Sequence, residues 1–367
     1  MRVLVLGGTG NFGARIVRTL GGDAAIETVV ASRRGGTVKG VPGARVLALD
    51  AFSAQLPARL RELAPDLVIH TVGPFQGQDY RVAQASLAAG AHYLDLADGR
   101  DFVVQFASTV DAWARAAGRV AISGASTVPS LSSAVVDVLR EPLHTMDTVE
   151  IAIAPGHRAV RGAATLAAVL SYLGRPVPVW RNGSWVNCYG WMDLRRVPLD
   201  IGSRWGALCD VPDLTLLPAR YPEARNVSFH AALEFRIQHL VLWKLAALRR
   251  LGFPFSVDRW ALRLDWLASL FDSLAGGWGG MRVSVVGQHP TGERVRRTWH
   301  LGVPAADGPE IPCLAAIMLT RRLARGEPMM AGANACLGYL GLAEFELEFA
   351  RWGIRTRIEE SAAPGCA

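Results

Sequence analysis

Some residue types are scarce in this 367-residue chain, and each scarcity excludes a class of chemistry. Lysine occurs only at positions 39 and 244, and neither lysine has a tyrosine four residues before it. The Tyr-x-x-x-Lys pair, in which lysine lowers the pKa of tyrosine so that the phenol can donate a proton, is therefore absent. The five cysteines are scattered without a Cys-x-x-Cys spacing, which is typical of a reducing compartment and excludes a zinc site of that pattern.

Long apolar runs are also missing. No stretch of about 18 apolar residues is free of charge, so we expect no transmembrane helix. The sequence opens directly on a strand-like run that leaves no room for a signal peptide, and we expect a cytoplasmic protein. No grouping of His, Cys, Asp and Glu has the spacing of a metal site, so we expect no metal.

The composition is basic and apolar, with a formal net charge of +7 and 50% hydrophobic residues. It provides ample apolar surface for a packed core, and the length predicts two domains. The positive charge favours an anionic partner, for which a bound dinucleotide would suffice. We expect no nucleic-acid binding, because the arginines are dispersed among apolar residues and form no arm or stripe.

The most informative motif follows residues 3–6, an apolar run typical of a strand buried on both faces. Glycines then occur as Gly8-x-Gly10-x-x-Gly13, before a segment with helical periodicity. In a dinucleotide-binding loop the first glycine permits the turn, the second lets backbone amides approach a pyrophosphate, and the third allows close helix packing. The alternative is a purely structural turn. The residues predicted to bind the pyrophosphate are Gly7, Gly8, Thr9, Gly10, Asn11, Phe12 and Gly13.

The end of the second predicted strand, residues 26–31, indicates which dinucleotide binds. An NAD site usually presents a carboxylate there, about 20 residues beyond the glycines, to hold the ribose 2′-hydroxyl. Here Ser32 takes that place, and Arg33 and Arg34 follow it. Guanidinium groups are suited to bidentate contact with a phosphate, so the sequence favours NADP(H). A solvated basic turn would explain the arginines but not the missing acid.

Strand-like and helix-like segments alternate up to about residue 139, which predicts a doubly wound parallel sheet of the Rossmann type. Ligands of such sheets bind beyond the carboxyl ends of the strands. The residues expected near the adenine are Asp50 and Ala51. The residues expected beside the nicotinamide are Val72, Gly73, Pro74 and Phe75, and the Phe75 ring is the one that would pack against it.

The pattern changes after about residue 135. Two hairpins are predicted, one turning at Asn182-Gly183 and one joining residues 281–288 to 294–301, with helices between them. This mixture indicates an α+β domain with a mixed or antiparallel sheet. The predicted boundaries are 1–134 for the nucleotide-binding domain, 135–305 for the α+β domain, and 306–367 for C-terminal helices that pack back on the first domain.

Residues 229–274 are rich in leucine, tryptophan and phenylalanine and also carry arginines and Lys244. A basic amphipathic helix of this kind can lie on a membrane surface. It can equally form an oligomer interface or a lid, and we weigh protein packing, as in a homodimer, above a membrane surface.

A series of short motifs also occurs in a recognisable order. They are residues 7–13, 73–77, 92–99 and 124–129, followed by 307–312 and 332–338. Through these motifs the chain resembles the saccharopine dehydrogenase-like oxidoreductases, most strongly up to about residue 135. The resemblance implies a Rossmann domain, an α/β substrate domain and NADP(H) as hydride carrier. Activity on saccharopine itself does not follow from it.

The opening Gly-Gly-Thr-Gly is also similar to that of extended short-chain dehydrogenases, but the missing Tyr-x-x-x-Lys pair argues against their mechanism. A saccharopine-type reductase instead transfers hydride to a C=N bond. A protonated imine is already electrophilic, so the protein mainly positions the reacting carbons and supplies charges that favour the iminium. The groups expected near the reacting centre are Tyr93, Asp98 and Glu310. The alternatives are buried packing for Tyr93, a helix N-cap for Asp98 and an exposed loop for Glu310.

Anchors for the substrate are expected mainly in the second domain, where Arg158 and Arg161 precede a predicted helix and could hold a carboxylate. Thr127, in a hydroxyl-rich turn, is a further candidate. The leading hypothesis is an NADPH-dependent reductase of an imine or carbonyl bound in a cleft between the domains. The alternative is a non-catalytic or membrane-peripheral protein that keeps a nucleotide-binding fold.

Overall fold

The structure is a computed structural model, and it describes residues 1–38, 40–41, 44, 46–157, 159, 163–254 and 275–363. The chain divides into two units. The first unit is Met1–Ser130 with Pro309–Tyr339, and the second unit is Leu131–Gly308 with Leu340–Ala367. Each unit contains one seven-stranded sheet.

The sheet of the first unit is parallel throughout. Its strands are β1 (Arg2–Leu6), β2 (Glu27–Ser32), β3 (Val46–Ala48), β4 (Leu67–His70), β5 (His92–Asp95), β6 (Val120–Ser123) and β15 (Gly332–Ala335). They lie in the order β15-β6-β5-β4-β1-β2-β3. The direction of winding reverses between β1 and β4, which is where ligands bind in open sheets of this kind.

Burial on both faces accounts for the apolar runs of these strands, since all four residues of β4 are buried. The helices of the first unit are α1 (Asn11–Leu20), α2 (Leu56–Leu63), α3 (Arg81–Ala88), α4 (Arg100–Ala116) and α9 (Ile311–Ala324). Helix α1 buries Ile16, Val17 and Leu20, and it contacts α9. Helix α4 contacts β15, so the last strand of the sheet is covered as well.

The sheet of the second unit is mixed. Its strands are β7 (Thr145–Ala154), β10 (Arg195–Val197), β11 (Arg204–Leu208), β12 (Asn226–Ala232), β13 (Trp278–Gln288), β14 (Arg294–Pro304) and β16 (Arg355–Ala362). They lie in the order β10-β11-β12-β7-β13-β14-β16, in which only β12 and β7 are parallel. A separate hairpin joins β8 (Pro176–Arg181) to β9 (Ser184–Tyr189).

The second unit also contains helices. They are α5 (Ser132–Arg140), α6 (Ala163–Tyr172), α7 (Asp213–Arg220), α8 (Arg236–Arg250) and α10 (Leu342–Phe349). Helix α5 contacts β7, β13 and β14. Arg297, which pairs in register with the fully buried Val285, donates hydrogen bonds to the carbonyl oxygens of Val138 and Leu139 near the end of α5. The face that carries these residues is therefore the apolar, helix-covered one.

The predicted fold class is confirmed: a Rossmann-type parallel sheet is followed by a second unit with a mixed sheet. Both predicted hairpins are present, β8–β9 and β13–β14. Asn182 and Gly183 form the first turn with positive φ angles of 51° and 75°, which explains the Asn-Gly sequence. In the described part of the chain, no helix is long and apolar enough to cross a membrane.

The C-terminal region differs from the predicted helices packed on the first domain. Helix α9 and strand β15 belong to the first unit, but α10 and β16 belong to the second. Strand β16 was missed because nearly all of its residues are exposed and several are charged. Antiparallel pairing with β14, and not burial of an apolar face, holds this strand in place.

Candidate functional site

The glycine loop between β1 and α1 has a geometry that only glycine allows. Gly7 has a φ of +79°, and a Cβ atom at Gly13 would lie 2.3 Å from the Gly7 carbonyl oxygen. A Cβ atom at Gly10 would meet only that same oxygen, at 3.1 Å. No other part of the protein outside the adjoining residues lies within 4 Å of that Cβ position, whereas Gly13 is closed in by the turn itself.

The loop leaves the start of α1 available to an anion. Gly10 is the N-cap residue of α1, and no side chain caps this helix end. Backbone amides at such a helix start, together with the helix dipole, favour negative charge. Thr9 and Gly10 are exposed at the tip of the loop, while Asn11 and Phe12 are half-buried. These are the features that a pyrophosphate site requires.

The end of β2 lies directly beside this loop, because the Ala31 carbonyl oxygen accepts hydrogen bonds from the amides of Gly7 and Gly8 at 2.9 and 3.2 Å. The Ser32 hydroxyl donates to the Gly35 carbonyl oxygen at 2.6 Å, which stabilises the turn. Arg33 and Arg34 are exposed. The predicted basic turn therefore lies beside the glycine loop, with both guanidinium-bearing residues exposed.

The two residues predicted to lie near the adenine, Asp50 and Ala51, follow β3. The Asp50 carboxylate accepts a hydrogen bond from the Phe52 amide at 3.0 Å, so part of its hydrogen-bonding capacity is used within the turn. Ala51 is buried, and only its backbone can contribute to a contact.

A second loop, residues 71–78, closes against the glycine loop from the end of β4. The Thr71 hydroxyl donates to the Leu6 carbonyl oxygen at 2.8 Å, and a Cβ atom at Gly7 would come within 2.8 Å of Thr71 and Val72. The Gln78 amide donates to the carbonyl oxygens of Val72 and Pro74, at 2.8 and 2.6 Å. Sequence reasoning missed Gln78, whose role depends on this loop conformation.

The Phe75 side chain is almost fully buried. Its ring is 4% exposed and packs on His70 and Phe102, with ring centroids 5.1 and 5.4 Å apart. In this conformation the ring has almost no exposed surface, and its contact with a nicotinamide stays a prediction. Val72, Gly73 and Pro74 remain at the surface of the loop, partly or fully exposed.

Asp98 lies at the same edge of the sheet, just beyond β5. Its carboxylate is half-buried and lies 3.5 Å from the Gln76 side-chain nitrogen. A Cβ atom at Gly99 would be 3.3 Å from the Gln76 amide nitrogen, so the two loops are in close contact. Burial raises the pKa of Asp98 above its ordinary value, which favours the protonated form.

Two predicted catalytic residues, Tyr93 and Glu310, are buried and bound to other parts of the first unit. Tyr93 is fully buried and stacks on Phe106, and burial raises the pKa of its phenol well above the ordinary value. Glu310 is the N-cap residue of α9 and is also buried. It accepts hydrogen bonds from Arg15 and Arg18 of α1 at 3.1 and 2.8 Å. These contacts favour packing for Tyr93 and a structural ion pair for Glu310, and the catalytic roles of both residues stay predictions.

Asp95, at the end of β5, is the residue that sequence reasoning passed over. Its Oδ1 atom accepts hydrogen bonds from the Ala97 and Gly124 amides and the Ser123 hydroxyl, at 2.9, 2.8 and 2.9 Å. Burial raises the pKa of Asp95 to about 6. This carboxylate joins the loops that follow β5 and β6, including the turn that carries the half-buried Thr127.

The remaining predicted substrate residues, Arg158 and Arg161, lie outside the described residues. Among the residues that are described, no group of three or more His, Cys, Asp or Glu side chains is arranged to hold a metal ion.

Comparison with known proteins gave structural matches only. No protein-family model and no curated protein matches the sequence. Saccharopine dehydrogenase (L-Glu forming) from Saccharomyces cerevisiae superposes with a TM-score of 0.68 and 13% sequence identity, over 98% of this chain and 100% of that one. The chain has the saccharopine dehydrogenase fold. The resemblance predicted from the sequence motifs is thus confirmed at the level of the fold.

Two further structures share the saccharopine dehydrogenase-like fold. Homospermidine synthase from Legionella pneumophila, in complex with NAD, has a TM-score of 0.64 and 10% identity, over 99% of this chain and 91% of that one. The DAP dehydrogenase of C. glutamicum, in complex with DAP, has a TM-score of 0.53 and 15% identity, over 92% and 93% of the two chains.

Proposed function

We propose that the protein is an NADP(H)-dependent oxidoreductase that transfers hydride to or from an imine or carbonyl carbon of a small molecule. The observation that carries the proposal is the glycine loop, with open space above Gly10 and an uncapped helix start beside it. The saccharopine dehydrogenase-like fold supports the same reading, since two of the similar structures are named dehydrogenases and the third is bound to NAD.

The residues present fit a phosphorylated dinucleotide. Amides at the start of α1 suit a pyrophosphate, and Arg33 and Arg34 suit a 2′-phosphate at the end of β2. Ser32 offers no carboxylate to hold a free 2′-hydroxyl, and its own hydroxyl donates to the Gly35 carbonyl oxygen. When bound, the cofactor supplies the hydride, and the protein contributes binding, orientation and electrostatics.

Asp98 is the group that we assign to proton management. It lies at the carboxyl end of β5, beside the loop of residues 71–78, and burial raises its pKa. A carboxyl group of this kind can give a proton to a developing amine or alcohol, and its ionised form can stabilise an iminium. The absence of a Tyr-x-x-x-Lys pair from the sequence leaves Asp98 as the better candidate.

The deciding experiment is calorimetric titration of the full chain with NADPH and NADH, followed by a cofactor-oxidation screen. The screen pairs keto acids with amines and includes simple ketones and aldehydes. Tighter binding of NADPH, with turnover in one class, supports the proposal. Binding of neither cofactor would refute it, and binding without turnover of any class would favour the non-catalytic alternative.

A further inference from the structure

Helix α8 of the second unit presents an apolar face to solvent. Its inner side buries His239, Leu242 and Ala246. Large apolar side chains on its outer side are exposed, with Ile237 64% and Leu251, the C-cap residue, 75% exposed. The exposed apolar residues are Ile237, Leu240, Val241, Leu248 and Leu251, with Phe253 just beyond the helix.

These side chains lie on one side of the helix. At about 100° per residue, the apolar positions from 237 to 251 fall within an arc of about 100°. Lys244 is exposed inside this arc, and Arg236 is exposed about 40° outside it. We call this set, from Ile237 to Leu251, the α8 outer face. Residues 236–254 contain no acidic residue, so the face is apolar and uniformly basic.

The helix is held so that this face points outward. Arg249, on the opposite side, donates hydrogen bonds to the carbonyl oxygens of Leu170, Ser171 and Leu173 at the end of α6, at 2.9 to 3.3 Å. The Arg250 guanidinium lies 4.0 Å from the centre of the Tyr189 ring. These contacts fix the orientation of α8, so its outer face is held towards the solvent.

We propose that the α8 outer face binds the surface of an anionic lipid bilayer. Apolar residues together with basic ones and no acid are what adsorption to such a surface requires. Leu248, Leu251 and Phe253 cluster at the end of the helix, and Lys244 lies about 6 Å nearer its start. Insertion of the helix end thus leaves the Lys244 ammonium group level with the phosphate head groups.

A second copy of the chain fits this face less well. Two α8 outer faces paired about a two-fold axis would bring Lys244, which lies within the apolar arc, towards Lys244 of the other copy. No acidic side chain of the α8 outer face would offset that repulsion. The proposal is independent of the oxidoreductase proposal, because α8 lies in the second unit and the glycine loop in the first.

Vesicle flotation of the full chain tests the proposal. We expect the protein to float with vesicles of equal parts phosphatidylglycerol and phosphatidylcholine, and not with phosphatidylcholine alone. Salt should weaken the binding. The double substitution Leu248→Asp and Leu251→Asp should lower the fraction bound by about tenfold or more. Lys244→Ala should lower the affinity by about fivefold.

Matched controls are available elsewhere on the surface. Met330→Asp and Leu347→Asp replace side chains that are 85% and 76% exposed outside α8, and both variants should bind vesicles like the unchanged protein. Retained NADPH binding and circular dichroism show that each variant is folded. The proposal is overturned if the unchanged protein does not float, or if Lys244→Ala and the double variant float as it does. It is also overturned if the double substitution abolishes a dimer in light scattering without changing flotation.

Discussion

The Gly7 carbonyl oxygen lies where a side chain at Gly13 would begin, and it is also the nearest atom to a side chain at Gly10. This oxygen would be 2.3 Å from a Cβ atom at Gly13 and 3.1 Å from a Cβ atom at Gly10, so substitutions at the two positions have different consequences. Gly13→Ala forces the backbone of the turn apart, whereas Gly10→Val extends into open space. Gly13 is thus required by the fold itself, whereas the role of Gly10 is the one that we propose for cofactor binding.

We therefore expect Gly10→Val to keep a circular dichroism spectrum near that of the unchanged protein and to abolish NADPH binding, because the side chain blocks the pyrophosphate. Gly13→Ala, in contrast, should lower the midpoint of urea unfolding. Calorimetric titration and urea unfolding of both variants check this. NADPH binding by Gly10→Val would show that the glycine loop is only a structural turn.

Replacement of Arg33 and Arg34 by alanine should lower the preference for NADPH over NADH by roughly 1–3 kcal/mol, the scale of charged hydrogen bonds. Arg61→Ala is the matched control. Arg61 is exposed in the last turn of α2, which leads into the start of β4, whereas the glycine loop follows the end of β1. Titration with both cofactors measures the effect. Equal affinity of the unchanged protein for NADPH and NADH contradicts the prediction.

Asp98→Asn should lower kcat by about 10²-fold, with cofactor affinity unchanged, because the amide cannot exchange a proton. Since burial raises the pKa of Asp98, the activity of a protonated donor should fall as pH rises through that pKa. The variant should lose this limb of the pH profile. Asp79→Asn, in an exposed ion pair with Arg81, is the control. An unchanged profile in Asp98→Asn would exclude a proton-transfer role.

Glu310→Ala should reduce stability and leave kcat of the folded protein unchanged. The substitution leaves Arg15, whose side chain is only 14% exposed, without its carboxylate, at a cost of about 3 kcal/mol. Glu62→Ala, which removes an exposed pair with Arg59, should cost less than about 1 kcal/mol. Urea unfolding measures both values. A large loss of kcat at unchanged stability would contradict this and support the catalytic role predicted for Glu310.

The buried Asp213 makes the free energy of unfolding depend on pH, and the sign of the dependence follows from its raised pKa. It is fully buried, accepts a hydrogen bond from the Ser132 hydroxyl, and burial raises its pKa to about 7. The folded state therefore holds the proton more tightly than the unfolded chain, whose aspartates titrate near pH 4, and this contribution to stability is lost as pH rises between about 4 and 7. Asp213→Asn should flatten the pH dependence of unfolding over that range. A slope identical to that of the unchanged protein would contradict the prediction.

The sequence predicted the parts of the site that local backbone geometry dictates. The glycine loop and the Asn182-Gly183 turn need backbone conformations that their own residues reveal. The buried ion pair of Glu310 could not be predicted in this way, because its partner Arg15 lies 295 residues away in the sequence. Asp95 was missed for the same reason, since its partners Ser123 and Gly124 follow 28 and 29 residues later.

Strand β15 has a consequence for synthesis of the protein. The nucleotide-binding sheet is completed at the β6 edge by residues 332–335, which leave the ribosome after almost the whole second unit. Helix α9, which packs on α1, is made equally late. The first unit therefore cannot finish folding as an N-terminal piece, as consecutive domains often do. We expect a chain that stops before residue 309 to expose the apolar surfaces of α1 and β6 and to aggregate.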